Sequence, residues 1–429
     1  MNNPLSKISS RLFGRDLAEY FHDPLYRNSA YLALGKFVDV GIGFFFWTLA
    51  ARLYSVADVG IATALVSSLG LVMAFSRLGF DSTIIRFMPT HDHGRVFNTC
   101  LWVTTVAAIM AGMIYLGLLD YISPELVFIR EYAVLFILFV IVNAVTLTTG
   151  YALVTLRRAD QKLVQNLIMG GRLLLLFPLA VFGSFGIFGS FGIIYIMCAI
   201  YGLLVVRRHL DLSWRIDSMF TRSTLRFSLM NYIATILQNT PTLVMPLLIV
   251  NILRPEEAAL YFIAFQIGGI VLIIPDALST SFYVEGSHGM NLRRGLAYTL
   301  AVTYALLIPA TLFIIFFGDW LLALFGTAYT EAFGLLQIFT ISTIFMTPYL
   351  IFIPLQNIRM KVNAIVALNL IRFALLISLS YIFLKRYGLM GAGYAWMLTF
   401  LVLSVGIVLF MLKTERGPTE GTILQENIK

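Results

Sequence analysis

Three cations stand inside apolar stretches of this 429-residue chain: Lys36, Arg172 and Arg372. A charge within a membrane-length apolar run costs about 3 kcal/mol even on translocon scales, so such a residue faces a cavity or a partner. Each lies eight or nine residues into its stretch. At about 1.5 Å per helical residue, all three fall roughly 12 to 14 Å from the same membrane boundary. One layer of positive charge suits the passage of a phosphate or pyrophosphate, and the three are the candidate substrate-binding residues. Asp39 follows Lys36 by three residues and shares its helix face, where the two can pair. Alternatively, an anionic substrate competes for Lys36 and frees Asp39 to take a proton or a sodium ion. Asp39 is therefore the coupling-ion candidate. The second half offers Thr235 and Gln238 at the equivalent places, so this device belongs to one half only.

Other chemistry is sparse. His91-Asp92-His93 lacks a third metal ligand, and Cys100 and Cys198 sit in apolar runs as small core residues. Asn143, Gln238, Asn239 and Gln266 supply hydrogen-bonding groups suited to helix-to-helix contacts. No phosphate-cradling glycine loop followed by Lys and Ser or Thr occurs, which argues against ATP hydrolysis. The loops are short and carry no paired-carboxylate or metal constellation, so no catalytic residue, cofactor or metal is expected.

The elements that must hold these residues follow from composition. Apolar residues make up 59% of the chain and charged residues 12%, against about 25% charged in a soluble domain. A soluble protein is excluded. With a mean hydropathy of +0.87, the chain reads as a polytopic all-α membrane protein. Twelve spans are expected, at 28–50, 59–76, 96–119, 132–156, 163–182, 191–206, 229–251, 260–282, 295–317, 334–355, 364–384 and 391–412. Of the 30 Lys and Arg residues, 22 fall in the termini and one set of alternate loops and 5 in the other set. The rich side is cytoplasmic, which puts both termini there and identifies the cytoplasmic (inner or cell) membrane. The net charge of +8 thus reflects topology and calls for no nucleic acid. Residues 1–27 carry no cleavable signal and suit a basic helix on the membrane surface.

A repeat appears when the second half is slid back by about 199 residues. Arg27 then meets Arg226, Gly70 meets Gly269, Arg95 meets Arg294, and Arg172 meets Arg372 after a small drift. Six spans per half make the repeat parallel, about an axis along the membrane normal. The same register sets Arg77, at the cytoplasmic end of span two, against Asp276 in span eight. Opposite charges there are candidates for an inner gate. Arg52 and Asp58 against Arg254, Glu256 and Glu257 are candidates for an outer one.

Two stretches carry a resemblance. Leu49-Ala-Ala-Arg-Leu-Tyr-Ser-Val-Ala-Asp-Val-Gly60 with Arg77-Leu-Gly-Phe-Asp-Ser-Thr-Ile-Ile-Arg86-Phe-Met-Pro89 resembles the polysaccharide-biosynthesis, O-antigen flippase-like family. That family lies within the multidrug/oligosaccharidyl-lipid/polysaccharide (MOP) exporter superfamily. Leu253-Arg-Pro-Glu-Glu-Ala-Ala-Leu-Tyr261 is similar to the same element in the second half. The resemblance implies two six-helix lobes in a V, a MATE/MOP-like fold. Spans one, two, seven and eight would line the cleft, and the lobes would rock to give alternating access. It implies an N-terminal surface segment 1–27, an N-lobe 28–206, a basic linker 207–228, a C-lobe 229–412 and a cytoplasmic tail 413–429.

The cargo it implies is a polyprenyl-(pyro)phosphate-linked oligosaccharide, with membrane lipids and other glycan-assembly membrane proteins as partners. Lys36 and Asp39 look like the charged pair on span one there. Twelve spans depart from the fourteen of lipid II exporters, which disfavours that cargo. An ion-coupled multidrug or small-molecule antiporter of the same fold remains a rival, as does an enzyme or scaffold of envelope-glycan assembly.

Overall fold

The computed structural model describes residues 24–213, 216–287 and 290–415. The surface helix expected within 1–27 and the tail 413–429 lie almost wholly outside them. Every long element is a helix, as hydrocarbon requires, since only internal hydrogen bonds can satisfy backbone groups there. In chain order the helices are α1 (Pro24–Leu53), α2 (Val56–Ser76), α3 (Phe80–Phe87), α4 (His93–Gly117), α5 (Ala133–Thr155), α6 (Ala159–Met169), α7 (Arg172–Leu175) and α8 (Ser184–Arg207). They continue as α9 (Ser218–Ile252), α10 (Pro255–Ile270), α11 (Ile273–Ser287), α12 (Leu292–Ala323), α13 (Phe333–Ile358), α14 (Val362–Tyr387) and α15 (Met390–Glu415). Among the described residues, ten helical stretches are long and apolar enough to cross a membrane, or up to eleven if α10 and α11, bent by 46° from one another, form one span. The fifth expected span is not one helix. It runs as α6, α7 and a 3-10 turn at Ala180–Phe182, broken at Gly170-Gly171 and ahead of Pro178.

The described residues form two compact units. One comprises the described residues up to Tyr54 and from Leu69 to Tyr232, the other those from Ser55 to Ser68 and from Ile233 onward. The boundaries cut α2 and α9, so each of these helices contributes to both. In the first unit the core gathers Phe80, Ile84, Val96, Phe97, Leu153 and Val206. The second holds a run of aromatic contacts from Tyr261 through Phe339 and Trp396 to Phe400 and Tyr349. Outward faces are apolar too, as lipid demands: Phe316 on α12 is 73% exposed.

Helix breaks free carbonyls, and side chains from other helices reclaim them. Between α2 and α3 the chain turns left-handed at Leu78 (φ 47°) and Gly79 (φ 77°). The Tyr232 hydroxyl then donates to the Phe75 carbonyl at 3.0 Å. Past α7, the Tyr54 hydroxyl donates to Leu176 at 2.7 Å. Pro348 lacks the N–H that Ile344 would have received, and the Tyr304 hydroxyl takes its place at 3.2 Å. Backbone packing is closest at two glycines. A Cβ on Gly79 would stand 2.0 Å from the Ser228 carbonyl oxygen, and one on Gly60 1.7 Å from that of Pro255. Arg77 directly follows the apolar stretch Val56–Ser76. The break continues as α3, and Arg77 shares a small pocket with Thr104, well inside α4, and with Thr148 and Tyr151 of α5.

The segment after α8 is strapped to the start of α4. Asn98 donates to the Asp211 carbonyl at 2.8 Å and accepts from the Ser213 N–H at 3.1 Å. Trp102 donates to the Ser213 carbonyl at 3.0 Å. Asp217 pairs with Arg95 and accepts from the Phe220 N–H.

Two outcomes follow from these contacts. Gly79→Ala and Gly60→Ala should each lower stability by about 2 to 3 kcal/mol through overpacking against backbone, seen in thermal unfolding of the purified protein. Gly41→Ala and Gly43→Ala, which meet nothing within 4 Å, should not. Separately, the Arg95 guanidinium and the Phe220 N–H hold the Asp217 carboxyl below its usual range. A depressed carboxylate contributes stability above its unfolded value, about 3.9, and loses it as pH falls through the folded value. Limited proteolysis should therefore begin to nick the strap only in that acid window, whereas Asp217→Asn should be nicked at neutral pH. Equal nicking of the two proteins at all pH values would count against the strap.

Candidate functional site

The first unit gathers charge around Asp39. Asp39 and Lys36 are exposed residues of α1. The hydrogen bond to the Asp39 carboxylate comes from α6: Asn166 Nδ2 donates to Oδ2 at 2.9 Å. Asn166 reaches α1 because Gly35 has no side chain, where a Cβ would stand 3.2 Å from the amide nitrogen. One helical turn before Asn166, Lys162 points the same way, and both it and Arg172 lie within electrostatic reach of Asp39 without ion-pair contact. Lys162 Nζ donates to Gln165 Oε1 at 3.1 Å. Gln165 is itself tied to the Thr146 carbonyl at 3.2 Å and to the Cys198 carbonyl at 3.3 Å.

Arg172 is held differently. Its guanidinium lies over Phe46 at 5.0 Å and over Phe191 at 4.6 Å, between α1 and α8. Two aromatic faces attract a cation without consuming its N–H donors. The buried Nε has no hydrogen-bond partner. The break at Gly170-Gly171 aims the residue: a Cβ on Gly170 would come 2.9 Å from Ile42 of α1, and one on Gly171 3.0 Å from Ile194 of α8.

Arg372, its repeat partner, is enclosed in the second unit at 3% exposure. Nη1 donates to the Tyr349 hydroxyl at 2.8 Å and Nη2 to the Gln238 carbonyl at 2.6 Å. Tyr349 in turn donates to Asn369 Oδ1 at 2.7 Å. The two η nitrogens are thus occupied by α9 and α13, close to Pro241 of α9, and the buried Nε has no hydrogen-bond partner among the described residues. In this arrangement Arg372 braces a helix and presents no free face to a substrate.

Of the gate candidates, Arg77 and Asp58 have local partners. Arg77 lies 3.9 Å from Asp81 across the α2–α3 break, and its Nε is buried without a hydrogen-bond partner. Asp276 stands in the first turn of α11, just past the 46° bend. Asp58 forms a reciprocal cap with Ser55, whose hydroxyl donates to Oδ2 at 2.6 Å and accepts from the Asp58 N–H at 3.1 Å. Glu256 and Glu257 occupy the first turn of α10, which Arg254 caps, where acids suit the helix dipole. Arg52 lies in the last turn of α1. In each half, then, the second apolar stretch is interrupted, and a charge of opposite sign lies at or just past the interruption.

Sequence reasoning missed Lys162, Asn166 and Gln165. A signal existed in the spacing of Lys162 and Asn166, four apart and so on one helix face, but three basic residues within 157–162 read as a loop.

No protein-family model matches the chain, and no curated protein matches it in sequence. Solved structures do match in fold. An inward-facing multidrug resistance MATE family transporter of the MOP superfamily is 13% identical, with 91% of this chain and 100% of that one covered and a TM-score of 0.69. The lipid II flippase MurJ in an inward closed conformation is 14% identical, with 89% and 87% covered and a TM-score of 0.70. A MOP superfamily transporter from Pyrococcus furiosus is 15% identical, with 92% and 96% covered and a TM-score of 0.56. The chain has the all-α polytopic fold of that superfamily.

If Arg372 braces α9, Arg372→Met should cost about 1 to 3 kcal/mol by leaving the Gln238 carbonyl unpaired, and Arg372→Lys should not restore it, lacking the fork. Thermal unfolding checks this. A variant as stable as the wild type means the bracing is unimportant.

Proposed function

We propose that the chain is a flippase that turns a polyprenyl-(pyro)phosphate-linked oligosaccharide from the cytoplasmic to the outer leaflet by alternating access. The observation that carries this reading is Arg172. A guanidinium held between aromatic faces, with no hydrogen bond to it among the described residues, is a donor set awaiting an anion. Lys36 and Lys162 add positive charge against the single carboxylate of Asp39. Phosphate or pyrophosphate is the anion that such a site would hold while glycan and lipid move past. The resemblance to O-antigen flippases in the first and second halves, and the lipid-linked cargo named for MurJ, support the same class. On this reading, residues 28–206 and 229–412 act as rocking lobes. Arg77 and Asp276, each at a helix interruption, act as the inner gate. Both termini lie in the cytoplasm. Moving one charge through 100 mV supplies only about 2.3 kcal/mol, so consumption of product outside would help to sustain direction.

Likeness to MATE transporters favours a second reading, export of a cationic drug in exchange for an ion. Such a pocket needs carboxylates and aromatics around a cation, whereas Asp39 is outnumbered by cations. Purified protein in vesicles containing a fluorescent polyprenyl-pyrophosphate glycan decides between them. Protein should equalise the probe between leaflets, and Arg172→Ala or Lys36→Ala should slow this at least tenfold, about 1.4 kcal/mol, with unfolding temperature unchanged. If the probe stays where it was loaded with or without protein, the flippase reading is wrong. Efflux of a cationic dye from the same vesicles would then point to the antiporter.

A further inference from the structure

Lys162 of α6 lies within electrostatic reach of Asp39, and its surroundings are unusual for a half-buried ammonium. Its one hydrogen bond among the described residues goes to a neutral amide oxygen, Gln165 Oε1, at 3.1 Å. An ammonium carries three donors, so two remain uncommitted. No carboxylate among the described residues forms an ion pair with it, although a charge partly withdrawn from water is normally paired.

The place it occupies is shaped for it. Gly150 of α5 leaves the room: a Cβ there would stand 3.2 Å from Lys162 Nζ and 3.1 Å from Gln165 Oε1. Gly202 of α8 does the same for the anchor, since its Cβ would meet Thr149 Oγ1 at 2.3 Å and Gln165 Nε2 at 3.1 Å. Gln165 is then fixed by acceptors on two helices, the Thr146 and Cys198 carbonyls. The result is a rigid socket of neutral groups around one flexible cation. A four-carbon stem lets an ammonium swing several ångströms, more than a planar guanidinium stacked between two rings such as that of Arg172.

We propose that Lys162 is a retractable phosphate ligand. With no substrate bound it rests on Gln165 and balances Asp39 from a distance. When the phosphate or pyrophosphate of a lipid-linked substrate reaches Arg172, the ammonium leaves the socket and adds its charge to that anion. Retraction as the anion departs lets the site release what it has bound. This inference rests on the anion site at Arg172 proposed above.

The test uses full-length protein in detergent with inorganic pyrophosphate as probe, its affinity read by calorimetry and folding by thermal unfolding. Lys162→Ala should weaken binding at least tenfold in folded protein, and so should Arg172→Ala. Gly150→Ala, which crowds the resting ammonium and its anchoring oxygen but keeps the charge, should bind as tightly as wild type or more tightly. It should also expose Lys162 to an amine-labelling reagent, read by peptide mass spectrometry, until pyrophosphate is added. If Gly150→Ala does not fold, Gln165→Met removes the anchoring oxygen instead and carries the same expectation. Unaltered affinity in Lys162→Ala alongside loss in Arg172→Ala overturns the role of Lys162 and leaves the anion site standing. Loss of affinity in folded Gly150→Ala overturns retraction, because the ammonium would then act from inside the socket. A wild type that does not bind pyrophosphate removes the anion site, and this inference with it.

Discussion

Hydrocarbon offers no hydrogen bonds, so every polar group that the chain carries into the membrane must be answered by another part of the same chain. This constraint governs the whole molecule. Regular helix answers backbone with backbone, and wherever the helix stops the answer comes from a side chain on another element. Tyr232, Tyr54 and Tyr304 each donate to a carbonyl that a break or a proline has left open. Tyrosine suits the task, since its ring packs as a hydrophobe and only its tip is polar. The breaks are thereby made stable features of the fold, and they leave charged residues at positions that an unbroken helix would keep at its ends.

The same rule sorts the charges. Arg372 has its fork filled by Tyr349 and the Gln238 carbonyl, so the second unit closes over it. Arg172, at the corresponding place in the repeat, meets only aromatic faces. Both keep an unpartnered Nε beside aromatic rings, but they differ in their η nitrogens: those of Arg372 brace α9 and α13, while those of Arg172 have no hydrogen bond among the described residues. Asymmetry of this kind is expected of a repeat whose halves have diverged in their polar positions while keeping their apolar frame. Function concentrates where the polar groups are left incompletely answered.

Much of the frame was legible in the sequence because membrane spans announce themselves through long apolar runs, and the charges at Lys36, Asp39, Arg172 and Arg372 stood out against that background. The environment of each charge was not legible. Arg372 depends on Tyr349 and Gln238, distant in sequence, and no periodicity on α14 reveals them. The surroundings of Arg77 were not legible either, because a broken helix looks like a helix followed by a loop. The left-handed pair Leu78-Gly79 and the continuation as α3 follow it directly. Lys162 was hidden by company: beside Arg157 and Arg158 it read as one more topological charge, whereas the helix starting at Ala159 turns it towards Asn166 and Asp39.

That last case bears on how charge should be counted in such proteins. Positive residues near a cytoplasmic boundary fix orientation by remaining on that side, and the same residues are the ones able to reach inward along a long stem. A lysine at the start of a span can satisfy both demands, since topology is set during insertion and the side chain settles afterwards. The segment that holds Lys162 is also the one that fails to form a continuous span, broken at Gly170-Gly171 within a turn or two of both Lys162 and Arg172. A continuous helix would carry the two cations at fixed spacing along one rod. The break lets α6 hold the ammonium beside Gly150 while α7 places the guanidinium between α1 and α8, so two cations from one short segment, differently held, lie within electrostatic reach of one carboxylate.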